Sequence, residues 1–325
     1  MNIAFLGCSK IANKVIRALK SIEGVTLYAC SARDFERAKS FAMKHNILHA
    51  YKSYEEMLKD ENIDLVYIST LSSSHFKDAM LTLKYNKSCI VEKPISTNLN
   101  DVTQLFKYSE KHNIYITEAL LGRFHPSKHI IKEILKSNIL GEPYHIEANL
   151  SYPLTHVERL NKLEMGGGVL LDLGVYPLNF VTMMFGYDIK KITSLQLVDK
   201  LSGVDRSDFI NMIFNNNKTA SLTVSMECLS NKEAIIYCKN GYIKIENFSN
   251  PTSIKVYKNT TDRVSDCIQT IPVEVINNGY EYEFMNAFKE SKSYQIESDD
   301  FTHYEICKIY EIIDFINKNS TKVEN

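Results

Sequence analysis

Two stretches of this 325-residue chain combine side chains that can move protons with backbone features that would fix them in place. The first is Ile90-Val91-Glu92-Lys93-Pro94, where an apolar run ends in a carboxylate, an ammonium and a proline. Proline disfavours helical geometry in the residue before it, so Lys93 is expected to project from a strand tip. The second is Gly166-Gly167-Gly168-Val169-Leu170-Leu171-Asp172-Leu173-Gly174-Val175-Tyr176-Pro177, whose three leading glycines permit close backbone approach. Asp172 and Tyr176 are four residues apart and would share one face of a helix. An ammonium can stabilise negative charge growing on an oxygen, and a phenol can exchange a proton with one. Taken singly, each stretch also has a plainer reading. The first suits an exposed strand-to-loop transition, the second packing plus a helix cap.

Around the first stretch the chain alternates short apolar runs with amphipathic ones. Strands are expected at 3–6, 26–30, 65–69, 89–92 and 115–118, and helices at 11–20, 34–44, 54–59, 75–85 and 99–112. Near-continuous apolar strands between helices predict a parallel sheet covered on both faces, and right-handed crossovers make it doubly wound. A ligand then belongs beyond the carboxyl ends of the strands, where strand order reverses. After about residue 122 the rhythm changes to a helix at 127–137, a strand at 144–151, the glycine run and a helix near 175–185. From 189 to 275 strands alternate with turn signals, as in Ile243-Lys244-Ile245 and Ile254-Lys255-Val256, which suits an antiparallel sheet with one covered face. Helices near 280–291 and 301–317 close the chain. The expected fold is α/β, an N-terminal Rossmann doubly wound parallel sheet (1–121) followed by a C-terminal α+β domain with a large open, mainly antiparallel sheet (122–325).

The first strand runs into Gly7-Cys8-Ser9-Lys10-Ile11-Ala12. In the dinucleotide fingerprint G-x-G-x-x-G/A the first glycine makes the turn, the second lets backbone approach a pyrophosphate, and the small third position packs helix on strand. Gly7 and Ala12 fit; Ser9 replaces the middle glycine with a small hydroxyl residue. By itself the motif also fits a generic doubly wound protein. The second strand ends Cys30-Ser31-Ala32-Arg33-Asp34, with no acid at its tip to take a ribose 2′-hydroxyl. Arg33, with Arg37 one helical turn on, suits a 2′-phosphate instead, so NADP is expected and NAD is the alternative. A solvated helix start explains the same two arginines.

Composition excludes several other classes. A formal net charge of −1 argues against a nucleic-acid partner, and 44% apolar with 24% charged residues is ordinary for a globular chain. No apolar run was found near the roughly 18 residues that span a bilayer, and the N-terminus lacks the basic start and cleavage site of a signal peptide. Seven scattered cysteines without CxxC pairs or histidine-flanked clusters suggest reduced thiols and no metal, with the cytoplasm the expected compartment.

Gly7–Ala12, then Glu92-Lys93-Pro94, then the glycine-rich Asp172/Tyr176 segment together resemble the Gfo/Idh/MocA oxidoreductase family over essentially the whole chain. The resemblance implies that Lys93 lies beside the nicotinamide and the reacting oxygen, Glu92 near the nicotinamide ribose, and Thr70, Leu71 and His75 near the middle of the cofactor. It also implies that the open sheet forms a homodimer or homotetramer. Tyr176, where inositol dehydrogenase-like members carry histidine, points to the tyrosine-bearing branch that includes nucleotide-sugar 3-ketoreductases and dimeric dihydrodiol dehydrogenase.

On this basis Tyr176 is the expected proton donor in reduction, its ordinary pKa of ~10 lowered by the Lys93 ammonium, with Asp172 orienting Lys93. Arg123, Tyr152 and His156 fall on segments expected to face the cleft and to bind substrate hydroxyls or a phosphate, although each also suits a structural or surface role. The expected reaction is hydride transfer to a keto-sugar, plausibly nucleotide-linked. Oxidation of a free sugar or a trans-dihydrodiol is the alternative. Ser9 keeps open a different class, a dinucleotide-binding regulator without turnover.

Overall fold

The computed structural model describes residues 1–324. They form two compact units: Met1–Phe124 with Ile276–Tyr310, and His125–Val275 with the residues from Glu311 onward. The expected division at 121/122 into two continuous spans is therefore corrected, because residues 276–310 pack with the first unit. An amphipathic helix reveals that one face is buried, not which sheet buries it.

The first unit opens with β1 (Asn2–Leu6), α1 (Ala12–Leu19), β2 (Thr26–Ser31), α2 (Phe35–His45), β3 (His49–Tyr51), α3 (Tyr54–Leu58), β4 (Leu65–Ile68), α4 (His75–Lys84), β5 (Ser88–Glu92), α5 (Leu99–His112), β6 (Ile116–Ala119) and α6 (Leu121–Phe124). The strands run parallel in the order β3-β2-β1-β4-β5-β6, so strand order reverses between β1 and β4. Ile3 to Leu6, Leu65 to Ile68 and Cys89 to Val91 are wholly enclosed, the signature of strands covered on both faces. Local chemistry sets the helix ends. Asp34 accepts from the backbone N–H groups of Glu36 and Arg37 to start α2, and Asn98 accepts from Asp101 N to start α5. Asn46 and Asn113 take the left-handed conformation that ends those two helices.

The second unit contains α7 (Ser127–Lys136), β7 (Pro143–Ser151), one π-helical turn (Leu170–Gly174), α8 (Val175–Phe185), β8 (Ile189–Val198), β9 (Asp205–Phe214), β10 (Thr219–Ser225), β11 (Ala234–Cys238), β12 (Gly241–Ile245), β13 (Ser253–Asn259) and β14 (Ser265–Pro272). The chain returns to the first unit through α9 (Glu281–Lys292) and the start of α10 (His303–Asn319), then ends on β15 (Thr321–Glu324). The nine strands lie in the order β14-β13-β12-β11-β7-β10-β9-β8-β15. Only β7/β10 and β8/β15 pair parallel. Alternation is clearest in β9, where Ile210, Met212 and Phe214 are buried while Phe209, Asn211 and Ile213 face out. The α/β class with a second, mainly antiparallel sheet is thus as expected.

One expectation about apolar runs needs correction. The helical stretch Leu163–Phe185 has the length and mean hydropathy of a membrane span, but 78% of its most apolar window is buried inside the protein. Glycine and tyrosine interrupt the aliphatic residues there, so by eye it does not read as one run.

Within the first unit, Phe284, Ala287 and Phe288 of α9 join the core made by β1, β4 and α1. Each buried phenylalanine contributes about 1.5–3 kcal/mol relative to exposure, enough to hold a returning helix in place. Glu281 fixes its start by accepting from the backbone N–H groups of Asn277, Asn278 and Gly279.

Candidate active site

The β1–α1 loop is shaped by what lies behind it. Gly7 has φ +97°, and a Cβ there would come within 2.9 Å of Thr70 Cγ2 and 3.1 Å of the Ser69 carbonyl. The loop therefore presses on the end of β4 at the point where strand order reverses. Ser9, the departure from the fingerprint, is used locally. Its hydroxyl donates to Ser69 Oγ at 2.9 Å and accepts from Ala12 N at 3.3 Å, tying the loop to β4 and to the first turn of α1. Arg37 Nη2 donates to the Cys8 carbonyl at 2.6 Å, which fixes the loop from the α2 side.

These groups border an open cleft of about 520 Å³ whose walls include Gly7, Cys8, Ser9, Arg33, Arg37, Thr70 and Leu71. Seven of the expected cofactor residues therefore meet at one place. The glycine cradle, a helix N-terminus and the exposed guanidinium of Arg33 fit a dinucleotide phosphate well. Sequence reasoning missed Tyr54, Ser74, Lys77 and Asp78 on the same walls. Nothing in their spacing links α3 and α4 to a phosphate loop; only the fold does. Asp78 is raised above the ordinary carboxyl range by burial, against the pull of the Thr70 hydroxyl, which donates to it at 2.6 Å. Tyr54 is pushed up to about 12, chiefly by burial and then by Asp78.

Other expected cofactor residues lie outside the walls of this cleft. Ser31 is buried and donates to the Tyr51 carbonyl at 3.2 Å, so its hydroxyl is spent on the β2/β3 pair. Lys10 is exposed beside the loop, Ile11 is half-buried, and Ala12 is buried at the start of α1. His75 is buried, with Nδ1 2.7 Å from the Pro94 carbonyl and Nε2 3.2 Å from the Thr70 carbonyl. It braces the loops after β4 and β5 against one another.

Lys93 follows the last residue of β5, at the carboxyl edge of the sheet, and its bond to Pro94 is cis. Beneath it lies a set of buried acids. Glu92 accepts from the Tyr67 hydroxyl at 2.5 Å. Glu118 Oε1 accepts from Tyr310 Oη at 2.6 Å and from the backbone N–H of Ile95 at 2.9 Å. Glu283 on α9 is fully enclosed, and burial followed by the nearby Glu92 raises it well above the carboxyl range. Glu118 is pushed up to about 7 by burial, while Tyr310, the Ile95 N–H and Lys93 act to lower it.

Asp172 and Tyr176 belong to the second unit. Asp172 lies in the π-helical turn and Tyr176 in the first turn of α8, so the segment is not the single regular helix expected. Turns of this kind often mark functional positions. Asp172 Oδ1 accepts from Arg159 Nη2 at 2.9 Å, a partner the sequence did not suggest. The turn is anchored by Asp205 of β9, whose Oδ2 accepts from Leu170 N at 2.6 Å. Gly168, at φ +106°, makes room for that carboxylate, since a Cβ there would run into Asp205 Oδ1.

Of the three expected substrate residues, Arg123 is corrected. Its guanidinium forms an ion pair with Glu305 at 2.7 Å and stacks 4.6 Å from the Phe301 ring, which commits it to joining α6 and α10. Tyr152 is half-buried, with Lys232 Nζ 5.5 Å from its ring centre, and His156 is exposed.

Comparison with known proteins gives a consistent picture. Residues 1–119 match the description "Oxidoreductase family, NAD-binding Rossmann fold" and residues 129–244 match "GFO/IDH/MocA C-terminal domain". The chain is 35% identical over 252 residues to a trans-1,2-dihydrobenzene-1,2-diol dehydrogenase of Xenopus laevis, covering 76% of each. The Xenopus tropicalis enzyme of the same name is 33% identical over 274 residues, 83% of this chain and 82% of that protein. Among solved structures, a 3-ketoreductase from Actinomadura kijaniata in complex with NADP and TDP-benzene superposes with a TM-score of 0.91, at 18% identity, over 100% of this chain and 99% of that one.

Proposed function

The chain belongs to the Gfo/Idh/MocA family of NAD(P)-dependent oxidoreductases, and from that premise we propose that it uses NADP(H) to interconvert a carbonyl and a secondary alcohol on a sugar-like substrate. The observation that carries this reading is the position of Lys93 on a braced turn at the carboxyl edge of a parallel sheet whose first loop has a shape that would accept a phosphate. The dinucleotide, when bound, supplies or accepts the hydride. The protein supplies position and charge. Lys93 provides a fixed positive charge for the substrate oxygen as it becomes negative, and Tyr176 provides the proton that oxygen needs in reduction. Asp172, held by Arg159, keeps its stretch of the π-helical turn in one arrangement.

The preferred substrate is a keto-sugar, plausibly carried on a nucleotide. A second reading, oxidation of a trans-dihydrodiol with NADP⁺, is favoured by the dehydrogenases that share 33–35% identity with the chain. In both couples the alcohol partner carries a secondary hydroxyl beside a second oxygen. The test is purified protein assayed with NADPH against keto-sugars, free and nucleotide-linked, and with NADP⁺ against trans-1,2-dihydrobenzene-1,2-diol. Nucleotide binding without turnover on any of them would favour a regulator and overturn the enzymatic reading.

The preference for NADP rests on Arg33, with Lys77 also lining the same cleft. Arg33→Ala is expected to weaken NADPH binding by about 10-fold or more, as for loss of one charge-assisted contact, and to leave NADH nearly unchanged. Titration of both nucleotides by fluorescence checks this; equal losses would mean the arginine does not read the 2′-phosphate.

We also propose that the outward face of the nine-stranded sheet joins two copies of the chain. Leu195, Phe209 and Ile213 are 36%, 40% and 41% exposed on that face, and Tyr242 stacks on Tyr257 at 4.5 Å further along it. Phe209→Asp is expected to shift the protein to monomer in light scattering without changing its circular dichroism.

A further inference from the structure

Lys93 stands at the end of β5, and the strand beside it carries an acid that the reaction described above does not use. The β5/β6 register pairs Val91 with Glu118, placing Glu118 on the neighbouring strand two residues short of Lys93. Its side chain is 1% exposed. It is bound on one oxygen by two donors. Tyr310 Oη gives a bond of 2.6 Å, and the backbone N–H of Ile95, two residues beyond Lys93, gives one of 2.9 Å. The same Ile95 N–H is also 2.9 Å from Tyr310 Oη, so turn, carboxyl and phenol form a closed triangle.

We propose that Glu118 is the positioning residue of Lys93: its carboxyl, locked by Tyr310, holds the turn from which the Lys93 side chain projects. This rests on the reading of Lys93 as the working cation of the site. A purely structural anchor would not need an acid, because a glutamine carbonyl accepts the same two bonds. An acid in this place costs solvation unless its charge has a use.

The charged and titratable groups around it are few. Glu92 of β5, Lys93 just after it and Tyr310 of α10 act on Glu118. Glu92 in turn meets Tyr67 from β4 and Glu283 from α9. Burial and then the neighbouring Glu92 raise Glu283 well above the carboxyl range, and Tyr310 is raised far above the range of a free phenol by burial and Glu118. Glu118 is pushed up to about 7 by burial, so its charge switches near neutrality. Above that pH it is ionised and steadies the Lys93 ammonium. Below it the carboxyl is neutral and Lys93 loses that support.

The test reads Lys93 itself. Lysines of the full-length protein are reductively methylated with ¹³C, and the Lys93 resonance is identified by its loss in Lys93→Arg. In the unsubstituted protein this resonance is expected to show an inflection at about 7. Glu118→Gln, which keeps both accepted bonds, is expected to abolish the inflection. Tyr310→Phe, which removes a donor to the carboxylate, is expected to move it to higher pH. The kcat profile should lose the matching limb in Glu118→Gln while KM for NADPH stays within about threefold. An inflection that survives Glu118→Gln, or none in the unsubstituted protein, overturns the proposal. The resonance reports without turnover, so full activity in Lys93→Met would refute the role given to Lys93 and leave the titration result standing.

Discussion

Lys93→Met is expected to cut turnover by about 10²–10³-fold while NADPH binding changes little, the loss typical of removing one preorganised group that stabilises a developing oxyanion. Methionine has nearly the length of lysine and is tolerated at a half-buried position, so the substitution removes charge more than volume. The turn should survive, because it is held by groups other than the lysine side chain. Ile95 N–H bonds to Glu118 and Tyr310, and the Pro94 carbonyl lies against His75. The cleft proposed for the dinucleotide lies around Gly7, Arg33 and Thr70, and Lys93 is not among its walls. Tyr176→Phe should give a loss of about 10²–10⁴-fold, the usual weight of a general acid. Steady-state rates with nucleotide affinities measured by fluorescence separate the outcomes. A fall in NADPH affinity as large as the fall in rate would make Lys93 a binding residue.

The second large effect concerns stability. Gly168→Ala is expected to lower the unfolding free energy by about 2–5 kcal/mol, read from urea denaturation. Two costs add at this residue. Its φ of +106° is one that an L side chain rarely adopts, and the new methyl would collide with the Asp205 carboxylate. If the backbone moves to relieve the collision, Leu170 N loses its 2.6 Å bond to Asp205 and the π-helical turn loses its anchor. Since Asp172 sits in that turn, turnover should fall along with stability. A loss below 1 kcal/mol would show that the segment relaxes freely and that the carboxylate is not what fixes it.

The first sheet was legible because its strands are enclosed on both faces and read as unbroken apolar runs; β1, β2, β4 and β5 lie within a residue or so of the expected spans. The short strand β3 (His49–Tyr51) was not expected, since an exposed histidine followed by half-buried Ala50 and Tyr51 carries no periodicity. The phosphate loop and Arg33 were found from local spacing, and the structure gathers them around one cleft. What failed were features made by distant parts of the chain. Arg123 looks like a ligand-binding arginine until Glu305 is brought beside it. Glu118 reads as the polar end of a strand, and its partner Tyr310 is 192 residues away. The π-helical turn has no sequence signal separable from an ordinary helix start.

The return of residues 276–310 to the first unit has a consequence for how the protein is made. Tyr310 meets Glu118, Glu290 meets Tyr115, and His303 lies against the Ile116 carbonyl, contacts that span 192, 175 and 187 residues. A nascent chain that has emerged only to Phe124 has its parallel strands but lacks Phe284 and Phe288, which complete their core. It must remain incomplete while β7 to β14 are translated, exposing apolar surface that invites aggregation or chaperone capture. The nucleotide-binding half, first to leave the ribosome, is therefore among the last parts to finish folding.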